Sequence, residues 1–149
     1  QIELVIVRPP LVYGPGAPGN LARLARWAAS PLPMPFAAID NQRSLIGVDN
    51  LADFLAFCVD VELQHDPEIF VVSDGADIST TQLVRGLFPG KRLIPFPRFV
   101  ARLVTRAVRR PRLYHQLWGD LVVDSSHAWI DYGWTPPIPP ERGLQRCQR

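Results

Sequence analysis

An apolar run at residues 2–7 feeds into Arg8-Pro-Pro-Leu-Val-Tyr-Gly-Pro15, and a helix-like segment starts at Asn20. This order of buried strand, proline–glycine loop and helix constrains the fold more than any other feature. It is the local pattern of an α/β protein, in which ligands are often held where a strand gives way to a helix N-terminus. Taken alone, the same residues also describe a plain turn, because proline and glycine after a strand commonly do only that. An apolar strand of this type predicts burial on both faces within a parallel sheet.

The 149 residues suffice for one compact core. With 47% apolar and 20% charged residues, the composition predicts a soluble globular chain. No apolar run approaches the ~18 residues expected of a membrane span, and from these residues no export signal is expected. The first residue is not Met and falls at the start of an apparent strand, so the expectation is a piece of a longer protein. Cys58 and Cys147 offer no disulfide framework, and His65, His115 and His127 no ligand spacing. A cytoplasmic setting with reduced thiols follows as the expectation.

Charge is unevenly placed. The net charge is only +2, yet residues 91–112 carry Lys91, Arg92, Arg98, Arg102, Arg106, Arg109, Arg110 and Arg112 with no acid among them. A local positive field suggests an anionic partner. Arg98, Arg102, Arg106 and Arg110 recur every four residues and so share one helical face. That face reads either as a solvated stripe or as a phosphate-binding surface. No aromatics alternate with these arginines, which weighs against single-stranded nucleic acid.

Periodicity predicts a strand at residues 2–8, a helix at 20–30 capped by Asn20, and a proline-stiffened loop at 31–36. A short strand at 43–48 leads to a helix at 50–60, capped by Asp49, with Leu51, Phe54, Leu55, Cys58 and Val59 inward. A β-rich run at 68–73 precedes Ser79-Thr-Thr-Gln82, a capping box that opens a short helix. Residues 98–110 read as an amphipathic helix with Phe99, Leu103, Val104, Ala107 and Val108 as its apolar side. A strand at 121–124, a helix at 125–132 stopped by Gly133, a rigid extended segment at 134–140 and a final short helix complete the chain.

Catalytic machinery is sparse. No glycine-rich dinucleotide fingerprint follows a strand. The residues four beyond Tyr13, Tyr114 and Tyr132 are Ala17, Trp118 and Pro136, so no Tyr-x-x-x-Lys acid/base pair exists. What remains suits a nucleotide diphosphate, which needs guanidinium forks, backbone N–H groups and a helix N-terminus. Arg43 reads as a diphosphate clamp or as a solvated strand-edge charge. Asn20 reads as a helix cap or a phosphate contact, and residues 32–36 as a base-holding loop or a simple connection.

Taken together, Arg8 to Pro15, Gly19-Asn20-Leu21, Arg43-Ser-Leu-Ile-Gly-Val-Asp-Asn-Leu-Ala52, Asp124-Ser-Ser-His-Ala128 and Tyr132-Gly-Trp-Thr-Pro-Pro137 resemble, in order and spacing, the second half of the extended short-chain dehydrogenase/reductases. These are the NAD-dependent sugar-nucleotide epimerases and dehydratases. The resemblance covers nearly the whole chain. It implies an α/β fold made of the last Rossmann strands and a small α/β substrate-binding domain, a single fragment over 1–149 without the N-terminal NAD-binding half. It further implies that Pro9, Pro10 and Val12 lie beside the nicotinamide, and that Leu11, Asn20, Leu21, Pro35, Phe36, Arg43 and Arg112 line the sugar-nucleotide site.

The sequence also departs from the family pattern. Leu11 stands where many members carry Asn, and His127 replaces the usual Lys of the D-x-S-K-A stretch. The implied parent uses NAD or NADP, binds a UDP-sugar or another nucleotide-diphosphate sugar, and forms a homodimer. Its implied setting is bacterial surface-polysaccharide synthesis as an epimerase, dehydratase or 4-keto reductase. The fragment itself is expected to bind no cofactor, to lack catalytic residues, to contact no nucleic acid and to span no membrane. The reading from a different class is a non-catalytic anion-binding or protein-interaction domain using the basic helix at 98–112.

Overall fold

The computed structural model describes residues 3–107, 115 and 117–148. Strand β1 (Val5–Arg8) pairs in parallel with β4 (Glu68–Val71), matching Val5 to Glu68 and Arg8 to Val71. The next strand, β2 (Leu11–Tyr13), pairs in parallel with β3 (Leu45–Gly47), matching Leu11 to Leu45 and Tyr13 to Gly47. The change of partner has a local cause: Pro9 and Pro10 between β1 and β2 have no N–H to donate to a ladder.

Two hydrophobic cores meet on β3. Leu45 belongs to a core with Tyr13, Leu21, Leu24, Met34, Phe36, Ile39, Leu83, Val84 and Leu144. Ile46, the next residue, belongs to a second core with Phe54, Phe70, Val72, Ala128 and Trp134. Successive strand side chains point to opposite faces, so a strand with an apolar residue at each place joins both layers. The second core is aromatic, with Phe54 edge-on to Phe70 and Trp134 at centroid distances of 5.2 and 4.9 Å. Cys58 packs against this core and Cys147 against the other, both as free thiols.

Helix α1 (Asn20–Ala29) buries Leu21 and Leu24. Its N-cap is Gly19 at φ 71°, so Asn20 opens the helix instead of capping it. At the other end Lys91 Nζ donates to the carbonyls of Ala28 and Ser30, placing a cation on the negative end of the helix. Helix α2 (Val48–Asp60) starts earlier than expected, with Gly47 as N-cap and Asp49 inside the first turn. Phe54 is fully buried, but Leu55 is 48% and Val59 81% exposed, so two members of the expected inward stripe face out. Leu51, Phe57 and Cys58 supply the rest of the packed face.

Helix α3 (Thr80–Leu87) begins with the expected reciprocal cap: Gln82 N donates to Ser79 Oγ at 3.1 Å, and Ser79 N to Gln82 Oε1 at 2.7 Å. Helix α4 (Arg98–Ala107) buries Ala101, whereas Phe99 and Leu103, expected inside, are 75% and 67% exposed. The expected continuation of α4 to residue 110 lies outside the described residues. In place of a strand at 121–124 there is a single parallel bridge between Leu121 and Arg43. Helix α5 (Ser126–Ile130) is shorter than expected. Gly133 closes the following turn at φ 72°, donating its N–H to Trp129 O at 3.1 Å. Helix α6 (Pro140–Arg146) packs on α3 through Gly86, where a side chain would meet Leu144 Cδ1 at 2.7 Å.

Candidate functional site

Arg43 lies just before β3, between two extended segments. Its backbone exchanges two hydrogen bonds with Ile78, at 3.1 and 3.0 Å, and bridges Leu121 on the other side. The flanking residues are tied down as well. Gln42 N donates to Asp120 Oδ1 and Leu121 N to Gln42 O, both at 2.8 Å. Ser44 Oγ donates to Asp77 Oδ1 at 2.6 Å and accepts from Val123 N at 2.9 Å. Asn41 Nδ2 donates to Gly119 O at 2.8 Å and its Oδ1 accepts from Thr80 N at 2.9 Å. A side chain growing from so fixed a backbone starts from a defined place, which is what recognition of a planar anion requires.

Arg43 is half-buried, and burial lowers its pKa, with the charge of Asp120 acting in the opposite sense. The guanidinium is thus partly withdrawn from water and lies in the field of the Asp120 carboxylate.

The other residues singled out in the sequence take up different positions. Pro9 and Pro10 form the break between β1 and β2, Pro9 exposed and Pro10 half-buried. Leu11 and Val12 sit opposite Leu45 and Ile46 in the β2–β3 ladder, next to the strand that Arg43 leads into. Asn20 is exposed at the start of α1, whose first turn contains no acid. Pro35 is half-buried in a segment that lies along residues 92–94, where Met34 N donates to Arg92 O at 3.0 Å and Ile94 N to Met34 O at 2.9 Å.

Leu21 and Phe36 are core residues. The Phe36 ring is edge-on to Trp27 at 5.6 Å, and its carbonyl accepts from Thr81 Oγ1 at 2.6 Å. Their side chains are thus committed to packing. Arg112 lies outside the described residues. A groove of about 270 Å³ along α1, lined in part by Ala17, Leu21, Ala25 and Phe88, takes in neither Asn20 nor Arg43.

A buried knot fixes these elements together. Asp74 accepts from Tyr13 Oη at 2.6 Å, from Asn50 Nδ2 at 2.7 Å and from Gly47 N at 3.0 Å. Asn50 in turn pairs with the Ile138 backbone, donating to its carbonyl at 2.7 Å and accepting from its N–H at 3.0 Å. Burial, followed by the hydrogen bond to Asp74, pushes the Tyr13 hydroxyl far above its ordinary range, so Tyr13 remains a donor. In the sequence Asp74 stands before Gly75, a pair that reads as a turn. Nothing in its spacing announces partners 24 and 61 residues away.

The cofactor expected of the implied parent can be tested against these residues. A dinucleotide pyrophosphate needs a glycine turn opening onto free N–H groups of a helix. At α2 the Gly47 N–H is already given to Asp74, and Val12 is occupied in the ladder with Ile46. These two residues therefore do not present the N–H groups that a pyrophosphate needs.

No family model matches the chain. It is 36% identical over 152 residues to a UDP-glucose 4-epimerase of Vibrio cholerae, a match covering 98% of this chain and 46% of that protein. The chain therefore spans about half the length of this curated relative. Among solved structures, the human epimerase family protein SDR39U1 (isoform 2) with NADPH superposes with a TM-score of 0.72. The identity is 17%, and 98% of this chain and 48% of that one are covered. The Bordetella bronchiseptica enzyme WbmG in complex with NAD and UDP gives a TM-score of 0.63 at 14% identity, covering 97% and 43%. A Thermotoga maritima UDP-glucose 4-epimerase with UDP-glucose gives 0.61 at 17%, covering 97% and 44%. Those structures share the fold; the curated relative shares the sequence. In sequence and fold the chain corresponds to the C-terminal half of the extended short-chain dehydrogenase/reductases.

Proposed function

We propose that this chain is the sugar-nucleotide-gripping half of an NAD(P)-dependent epimerase, dehydratase or 4-keto reductase acting on a UDP-sugar. The observation that carries the proposal is Arg43: a half-buried guanidinium on a backbone held from both sides. In this reading Arg43 clamps the diphosphate, and the acid-free N-terminus of α1 with Asn20 adds N–H and amide donors. Residues 31–36 lie beside the base through backbone groups, because the Phe36 ring is spent on the core. Leu11 faces the sugar with no hydrogen-bonding group. Arg112 would be a second phosphate contact. Bound NAD(P) supplies hydride transfer, and this chain's residues bind and orient the substrate. The setting proposed for the parent is a cytoplasmic homodimer in surface-polysaccharide synthesis.

Calorimetric titration of UDP tests the assignment in the complete enzyme. Arg43→Ala is expected to weaken binding by about 1.5–3 kcal/mol, the range for charge-assisted hydrogen bonds. Arg43→Lys should recover only part, because an ammonium cannot reproduce two parallel N–H donors. Unchanged affinity in Arg43→Ala would end the assignment. The isolated chain with added NAD is expected to turn over no UDP-glucose, since half the walls of an interdomain site are missing; measurable turnover would refute that.

A further inference from the structure

The outward face of α4 combines exposed apolar side chains with cations. Ala101 is buried in this helix, and Phe99 and Leu103 are 75% and 67% exposed. At 3.6 residues per turn, positions two before and two after Ala101 both point to the opposite side. Arg102 and Arg106 are exposed and follow the same arc, so on the helical wheel the outward face runs Arg102, Arg106, Phe99, Leu103. An aromatic and a leucine therefore stand at the crest of a helix, with two cations along one side of them. The surrounding stretch, residues 91–112, contains no acid.

We propose that α4 is a peripheral docking surface for an anionic lipid bilayer, lying in the headgroup plane with Phe99 and Leu103 inserted. A basic amphipathic helix with Phe and Leu beside its arginines has the composition of an interfacial helix: apolar side chains enter the acyl boundary while guanidinium groups remain among phosphates. The crest is convex, so a fluid surface can close around it without a preformed pocket. A second copy of this chain fits poorly, because two such faces would bring like charges together. The anchor is peripheral: among the described residues no helix is long and apolar enough to cross a membrane.

Vesicle flotation tests this with the chain itself, using phosphatidylcholine alone and phosphatidylcholine mixed with phosphatidylglycerol. The chain is expected to float with the mixed vesicles and to stay behind with the neutral ones, and the association should weaken at high salt. Each of Arg102→Gln and Arg106→Gln should lower the partition coefficient by roughly fivefold, the equivalent of ~1 kcal/mol per basic residue at a charged surface. Phe99→Ser with Leu103→Ser should lower it by roughly tenfold or more while leaving the circular dichroism unchanged, since both side chains are already in water. Arg106→Gln alone keeps the test readable if the double variant misfolds. Equal flotation with neutral vesicles, no loss in the Phe99→Ser variant, or displacement from vesicles by a single-stranded oligonucleotide would overturn the proposal.

Discussion

Glu68 is 5% exposed at the side chain and still carries its charge, because three side chains converge on it. His127 Nε2 lies 2.9 Å from Oε1, and Tyr132 and His65 reach Oε2. Burial pushes the carboxyl up, but the hydrogen bonds from Tyr132, His127 and His65 outweigh it and bring the pKa down to about 2. His127 moves the other way: its bonds to Glu68 and to Asp131, the latter at 2.6 Å, raise its pKa against a smaller opposing effect of burial. The Glu68 contribution is complete above the ordinary carboxyl range and is lost as pH falls toward about 2. The His127 contribution is complete below the ordinary imidazole range and is lost as pH rises through its elevated value. The two overlap between roughly pH 4.5 and 6.5. His127→Gln is therefore expected to cost about 1 kcal/mol near pH 5.5 and clearly less at pH 9, read from thermal melts of both proteins. A cost that stays constant with pH would show that the imidazolium is not involved. In the sequence His127 stood out only as a departure from the family's Lys. Its partner Glu68 lies 59 residues away on β4, and no local pattern connects them.

Elements were most legible where the signal is local. The box at Ser79 and Gln82 needs only a four-residue spacing, and α3 starts where that spacing puts it. Ser79→Ala removes the acceptor for Gln82 N and is expected to lower stability by about 1 kcal/mol in urea titration. The start of α2 was misplaced because Gly47 leaves the strand and enters the helix with no intervening loop, so no polar residue marks the boundary. The outward Phe99 and Leu103 were misplaced for a different reason: amphipathicity shows that a helix has an apolar side but not that the body of the protein covers it. Contact between elements was less legible still. A Cβ at Gly143 of α6 would collide with the Tyr13 hydroxyl, which is pinned by Asp74. Gly143→Ala is accordingly expected to cost about 1–3 kcal/mol, visible as a lower denaturation midpoint, where an exposed helix glycine would gain stability from the same change.

At the scale of the whole molecule, the chain shows apolar surface that its own residues do not cover. Leu55 and Val59 on α2, Ile69 on β4 and Ile130 on α5 are all exposed, and Val5, Ile6 and Val7 of β1 are only half-buried. The expectation of a strand buried on both faces is therefore only partly met within these residues. Such surface favours self-association. Leu55→Lys with Val59→Glu is expected to shift the chain toward monomer in sedimentation velocity at high concentration. A wild-type chain that is already monomeric would remove the basis for this expectation. The meeting of both cores on β3 has a further effect, on the order in which the protein comes apart. Leu45 and Ile46 are neighbours in sequence but anchor different layers, so neither layer can loosen without pulling on the other. The amides of Ile46 and Gly47 should then exchange with deuterium only when the entire molecule opens, and heating should give one transition where two separate cores would give two.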